Sequence, residues 1–300
     1  MTEAPALPPI VDTHTHLDDP AFDSDRDTVI EESRAAGVRH FVNIGYAPDR
    51  WESSNALRER HPDIDFAIGL HPQLAEQYDG SLHRDLRRAI ERLAPIALGE
   101  TGFDFSRPAP TVEAQERAFR GQLEIAASER LPAIVHQRDA SDALISELDR
   151  WPDLAPIVLH SFDGTQRLAD WAQERGCFVG IGGLATRRSS ALLRDLLVRI
   201  PVDRLLLETD SPYLAPPGSA SRRNLPANLP GIASILAPLW NVSGEELCFL
   251  TSMNAVDLFG LPAVDWFPRT SAQGQHVDAS TTGRQLESRE GSRDSSPPTT

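Results

Sequence analysis

The stretch VDTHTHLDDP opens at Val11 and sets His14 and His16 two residues apart, directly after the apolar pair Ile10 and Val11. In a β-strand, residues i and i+2 share a face, so both imidazoles project together, and Asp12 with them. Paired imidazoles suggest a metal, although an isolated H-x-H also suits a solvent-facing strand end with incidental histidines. Further ligands must decide. His71 closes the run DFAIGLH, Glu100 closes PIALGE, His136 closes PAIVH, His160 closes PIVLH and Asp210 closes RLLLETD. His40, His61, His83 and His276 fall instead at a strand start, before a proline, in a helix and near the C-terminus, and are read as structural or solvated.

These residues need elements that bring them to one place. Eight short apolar runs, at 10–12, 39–45, 65–71, 95–100, 132–136, 156–160, 177–183 and 204–210, alternate with longer amphipathic stretches, the βαβ signature of a parallel sheet. Helical patterns occupy 24–36, 81–93, 111–130, 138–150, 164–175 and 189–199, with Thr111 placed as an N-cap, and two more follow at about 229–240 and 243–259. Eight such units predict an α/β fold, a TIM (β/α)8 barrel of the metal-dependent hydrolase type; an open doubly wound sheet is the runner-up. In a barrel the C-terminal strand ends form the face where sites are built, and every candidate above lies there. Packing alone favours Val, Ile and Leu at such positions, so four imidazoles with two carboxylates point to a two-metal site. Metal pairs on this fold are bridged by a carbamylated lysine or by a carboxylate. The chain contains no lysine, which leaves the carboxylate, and Glu100 is the natural bridge.

The motifs VDTHTHLD, GLHP, ALGETGFD, VHQRDA, VLHSFDG, LLLETDSPYL and RRNLPANLP, in this order from about residue 10 to residue 260, resemble the TatD family of metal-dependent deoxyribonucleases. The resemblance implies that His14 and His16 hold one divalent ion with Asp210, that Glu100 bridges, and that His136 and His160 hold the second. It implies Asp210 and Glu100 as the catalytic pair, with Asp210 orienting or deprotonating the attacking water, although Asp210 could also serve as a helix N-cap ahead of Pro212. His71 is similar to the family's phosphate-contacting histidine. Arg138, Arg222 and Arg223 could complete a phosphate clamp; a salt bridge from Arg138 to Asp139 or Asp142, and solvated loop charges at Arg222 and Arg223, are the alternatives. Three positions depart from the family pattern: Gln73 where a second histidine is common, Asp163 where TG follows the HSF stretch, and Leu225 in place of the glutamate of RNEP.

The implied activity is metal-dependent hydrolysis of phosphodiester bonds, as a 3′ to 5′ exodeoxyribonuclease on single-stranded ends, with zinc, manganese or magnesium as the two ions. Rivals are a hydrolase of small esters, lactones or amides, including a deacylase of mischarged tRNA, and a binding scaffold, which would show eroded ligands. A formal charge of -15 argues against a general nucleic-acid coat, because diffuse phosphate attraction needs a basic face. The expected partners are therefore DNA ends, and RNA ends with them, with no membrane and no obligate protein partner. No stretch approaches the roughly 20 apolar residues of a membrane span, MTEAPALPPI carries no signal-peptide pattern, and Cys177 and Cys248 alone make no disulfide framework, all of which predicts a cytoplasmic protein. The expected organisation is an N-terminal extension over 1–9, a hydrolase barrel over 10–262 and a disordered tail over 263–300, whose composition from Ser271 onward offers almost nothing to bury.

Overall fold

Each of the eight apolar runs forms a strand: β1 (Ile10–Thr15), β2 (Val38–Gly45), β3 (Ile64–Ile68), β4 (Ala97–Asp104), β5 (Ala133–Arg138), β6 (Ile157–Leu159), β7 (Phe178–Ile181) and β8 (Leu205–Leu207). They pair in parallel in strict chain order within one sheet. β1 returns to β8 through Thr13 Oγ1, which donates to Leu207 O at 3.0 Å, and through the Asp210 N–H, which donates to His14 O at 2.9 Å. The sheet therefore closes into the predicted TIM barrel. The computed structural model describes residues 9–106, 110–154 and 156–262. The predicted tail over 263–300, and the predicted N-terminal extension up to residue 8, lie outside the described residues.

Alternation along the strands builds two apolar layers. Val11, Val42, Ala67, Ala97, Ile134, Val158 and Leu206 fill the interior, while their neighbours Ile10, Phe41, Phe66, Leu98, Val135, Leu159 and Leu207 pack outward against the helices. The helices are α1 (Arg26–Ala35), α2 (Trp51–Arg60), α3 (Gly80–Leu93), α4 (Val112–Glu129), α5 (Ser141–Leu148), α6 (Gln166–Arg175), α7 (Ala191–Leu197), α8 (Leu229–Leu236) and α9 (Gly244–Phe259). Thr111 caps α4 as its side chain accepts from Ala114 N, and Ser243 caps α9. Ala255 and Phe259 of α9 join the interior cluster of strand residues.

Two strands break their alternation where chemistry is needed. Val11 faces the interior and Ile10 the helices, yet His14, of the same parity as Ile10, faces Glu100; the register of β1 against β2 shifts between Asp12 and Thr15. β4 does the same: Ala97 points inward, and a register shift between Gly99 and Thr101 re-aims Glu100 into the cavity. β4 also continues past its predicted end at Glu100, through Asp104. It can do so because Gly102 sits at φ +139°, where a Cβ would lie 2.1 Å from His136 O on β5.

Candidate active site

Glu100 is the hub. Its Oε1 lies 2.6 Å from His136 Nδ1, 2.8 Å from His160 Nε2 and 3.6 Å from His71 Nε2, and its Oε2 lies 3.6 Å from His14 Nε2. Asp210 Oδ1 is 3.2 Å from His16 Nε2 and 3.8 Å from His14 Nε2. The rings of His14 and His160 stack 3.8 Å apart. Three overlapping ligand sets result, His14/His160/Asp210, His14/His16/Glu100 and His71/Glu100/His136, each with donor atoms within 4.8 Å of one another. The donors fit a cation: both nitrogens of His14 and Nε2 of His136 are buried without a hydrogen-bond partner among the described residues. An unpartnered buried imidazole nitrogen is costly in a folded protein, and a divalent ion takes up the one lone pair that each neutral ring offers.

Two ring tautomers follow from the backbone. His16 Nδ1 stands 3.1 Å from Ile44 O and must donate to it, which leaves the Nε2 lone pair facing Asp210. His71 does the opposite. Its Nδ1 accepts from Gln73 N at 3.1 Å, so the neutral ring carries its proton on Nε2. Burial, opposed by Glu100, pushes His71 down to about 3 and keeps it neutral. His71 is therefore a hydrogen-bond donor aimed into the cavity, and the proximity that groups it with Glu100 and His136 does not supply a lone pair.

Burial alone would raise the carboxyl of Glu100; His160, His71 and the hydrogen bond with His136 outweigh it and hold Glu100 well below its ordinary value. Asp210 is lowered in the same way, by His16, His14 and His160 against burial. Burial opposes protonation of His160, but Glu100 and Glu208 raise it well above its ordinary value. The carboxylates stay anionic and draw positive charge to themselves, as a cation site requires.

Above the cluster opens a cavity of about 620 Å³. Tyr46 and Tyr213 stand edge-on to His16 on one side. Arg138, Arg187 and Arg222 line it, and among the described residues none of the three guanidiniums makes an ion pair. The alternative bridge from Arg138 to Asp139 or Asp142 is not formed, and Asp142 pairs with Arg167. Arg223 requires a correction. It points away from the cavity, donating to both carboxylate oxygens of Asp25 at 2.9 and 2.6 Å, and its guanidinium lies over the Phe22 ring. Asp210 caps no helix either; its φ of +57° opens an irregular turn in which its carbonyl accepts from Tyr213 N.

The sequence model of the TatD related DNase family matches residues 11–260. The chain belongs to that family. Similar proteins include the 3′-5′ ssDNA/RNA exonuclease TatD of Erwinia tasmaniensis, 38% identical over 83% of this chain and 99% of the relative, and that of Salmonella typhimurium, 36% identical over 83% and 98%. Among solved structures, a TatD homologue from Escherichia coli superposes with a TM-score of 0.79 at 30% identity, covering 84% of this chain and 98% of that one.

Against the TatD pattern, the three departures find places. Gln73 and Asp163 both line the cavity, and Asp163 accepts a 2.5 Å hydrogen bond from Gln137 while burial raises its carboxyl above the ordinary value. Leu225 packs against the core, and the adjacent Asn224 donates to Thr209 O at 2.8 Å, tying that loop to the end of β8. Three polar residues, Asp104, Glu208 and Arg187, escaped the sequence reading, and Asp12, placed beside the histidines, proves to be a support. Asp104 lies 3.5 Å from His136 Nε2, and Glu208 lies 3.5 Å from His160 Nδ1. Asp12 accepts from Thr209 N and Oγ1 at 2.9 and 2.6 Å, and Arg187 reaches the cavity from the β7–α7 loop. Asp12, Asp104 and Glu208 stand inside the motifs that marked the site, but nothing in their spacing separates a ligand from its support.

Proposed function

We propose that this chain is a cytoplasmic, metal-dependent exonuclease that removes nucleotides from the 3′ ends of single-stranded DNA and RNA. One observation carries the reading: Glu100 stands between the imidazoles of His136 and His160 and that of His14, with Asp210 completing the set beneath an arginine-lined cavity. His14, His16 and Asp210 would hold one divalent ion, His136 and His160 the second, and Glu100 would bridge them; zinc, manganese and magnesium all suit this donor set. When bound, such a pair activates water near neutral pH and neutralises charge on attacking and leaving oxygens. The chain's own residues do the rest. Asp210, anionic and tied to β1 through its N–H to His14 O, accepts the water proton on its carboxylate. His71 donates its Nε2–H to a non-bridging phosphate oxygen. Arg138, Arg187 and Arg222 gather the phosphates of the strand at the mouth.

The relatives' names specify 3′-5′ ssDNA/RNA exonucleases, which supports the polarity and substrate proposed here. The cavity favours an end because its ligands sit at the floor of a barrel mouth on a chain of net charge -15, out of reach of an interior duplex bond. The test offers one metal-reconstituted preparation an oligonucleotide and a panel of carboxylic esters and lactones. Oligonucleotide cleavage that stops on chelation and returns with metal is expected; preferential turnover of the esters would displace the nuclease reading.

A further inference from the structure

The buried carboxylate of Glu208 has no role in the chemistry above, and the chain is shaped around it. Gly180 on β7 leaves room that a Cβ would occupy only 2.1 Å from Glu208 Oε2. Ser161 adopts φ +43°, a left-handed conformation rare outside glycine, and directs its N–H to Glu208 Oε1 at 2.5 Å. Glu208 is 1% exposed. Its Oε1 lies 3.5 Å from His160 Nδ1, a nitrogen with no hydrogen-bond partner among the described residues; Glu208 Oε2 has none either. On the far side of the same ring, His160 Nε2 faces Glu100 at 2.8 Å, and the His14 ring covers one face of it.

We propose that Glu208 is the positioning residue of His160: its carboxylate takes the Nδ1–H, which fixes the tautomer and turns the Nε2 lone pair toward the cavity. A histidine that binds a metal through one nitrogen commonly donates its other N–H to a carboxylate, which orients the ring and raises its basicity, and losing that partner typically weakens metal affinity about 10- to 100-fold. Ser161 N holds Glu208 Oε1 in place, and Gly180 lets the whole carboxylate lie behind the ring. The inference rests on the reading of His160 as a ligand of the second ion.

The test is a zinc titration of the metal-free protein by calorimetry, with no substrate present, on wild type, Glu208→Ala, Glu208→Gln and Gly180→Ala. Expected is a wild type with two resolvable sites. In Glu208→Ala the affinity of one site falls about 10- to 100-fold and the other holds; Glu208→Gln, which keeps an acceptor, falls less. Gly180→Ala, which displaces the carboxylate while leaving it present, weakens the same site. The thermal midpoint of metal-free Glu208→Gln stays near wild type, whereas Gly180→Ala, which crowds a buried carboxylate, lowers it. The proposal is overturned if Glu208→Gln and Gly180→Ala bind zinc like wild type, if both sites weaken equally, or if the loss in Glu208→Gln follows a fall in its metal-free midpoint. A wild type that takes up no zinc would instead sink the metal reading of the whole site.

Discussion

At the scale of single residues the site is a set of charges that hold one another in place. Glu100 touches four imidazoles, so Glu100→Ala removes the anion that would screen two neighbouring cations. Turnover is expected to vanish and elemental analysis to find about one equivalent of metal instead of two, with the barrel still folded. Two full equivalents in that variant would remove Glu100 from the bridge. Asp12 behaves differently. Burial, offset in part by hydrogen bonds from Thr209 and His14, raises its carboxyl from 3.8 to about 8. Across that window the folded state holds a proton that the unfolded chain releases, so this contribution to stability is complete below about 3.8 and lost as pH climbs through about 8. Asparagine cannot titrate and can still accept from Thr209 N while donating to Thr209 Oγ1. Thermal midpoints of Asp12→Asn against wild type should therefore diverge in the variant's favour from pH 5 to pH 8, whereas Asp12→Ala, which orphans the buried Thr209 donors, costs about 1–3 kcal/mol. A gap that stays constant with pH would show that Asp12 is ionised throughout.

The elements show how far the sequence reaches. All eight strands were legible, because parallel barrel strands are buried on both faces and read as unbroken Val, Ile and Leu runs such as PAIVH and RLLLETD. Helix α2 was not foreseen. Its buried face is Trp51, Ser54 and Leu57, and a serine in the middle of that stripe hides the helical period. The metal-ligand candidates were legible as polar residues closing apolar runs, while Arg223 was misplaced because loop arginines carry no signal of which way they turn. The register shifts in β1 and β4 were equally invisible, since pairing with a neighbouring strand leaves no mark in local composition. They have a testable counterpart in Gly102. Alanine there must adopt φ +139° with its Cβ against His136 O. The conformation alone costs about 1–3 kcal/mol, and relief by sliding β4 would carry Glu100 away from His136. Gly102→Ala is expected to lower both the thermal midpoint and metal uptake; a variant of wild-type stability and metal content would show that β4 tolerates a side chain at this close approach.

Across the whole molecule, net charge and a local cationic mouth make opposite demands on nucleic acid. The chain carries -15, and the guanidiniums of Arg138, Arg187 and Arg222, without an ion pair among the described residues, gather at one opening. About two or three phosphates would be neutralised there, giving a logarithmic salt slope of about -1.5 to -2 at roughly -0.7 per phosphate on single strands. Cleavage of a short single strand at subsaturating substrate, fixed metal and rising monovalent salt measures it. A slope steeper than about -4 would require an extended basic track, which this arrangement of arginines does not provide.

The same end-binding geometry sets the order in which products appear, and that order tests the account most directly. One single strand is labelled at its 3′ end in one reaction and at its 5′ end in the other, and both are incubated with the metal-reconstituted protein. The 3′ label should leave at once as a mononucleotide, the 5′ label should pass through a ladder that shortens one nucleotide at a time, and chelation should stop both. Early release of the 5′ label as a mononucleotide, internal fragments from either strand, or cleavage that survives chelation would contradict a metal-dependent 3′ to 5′ exonuclease built on Glu100, Asp210 and their histidines.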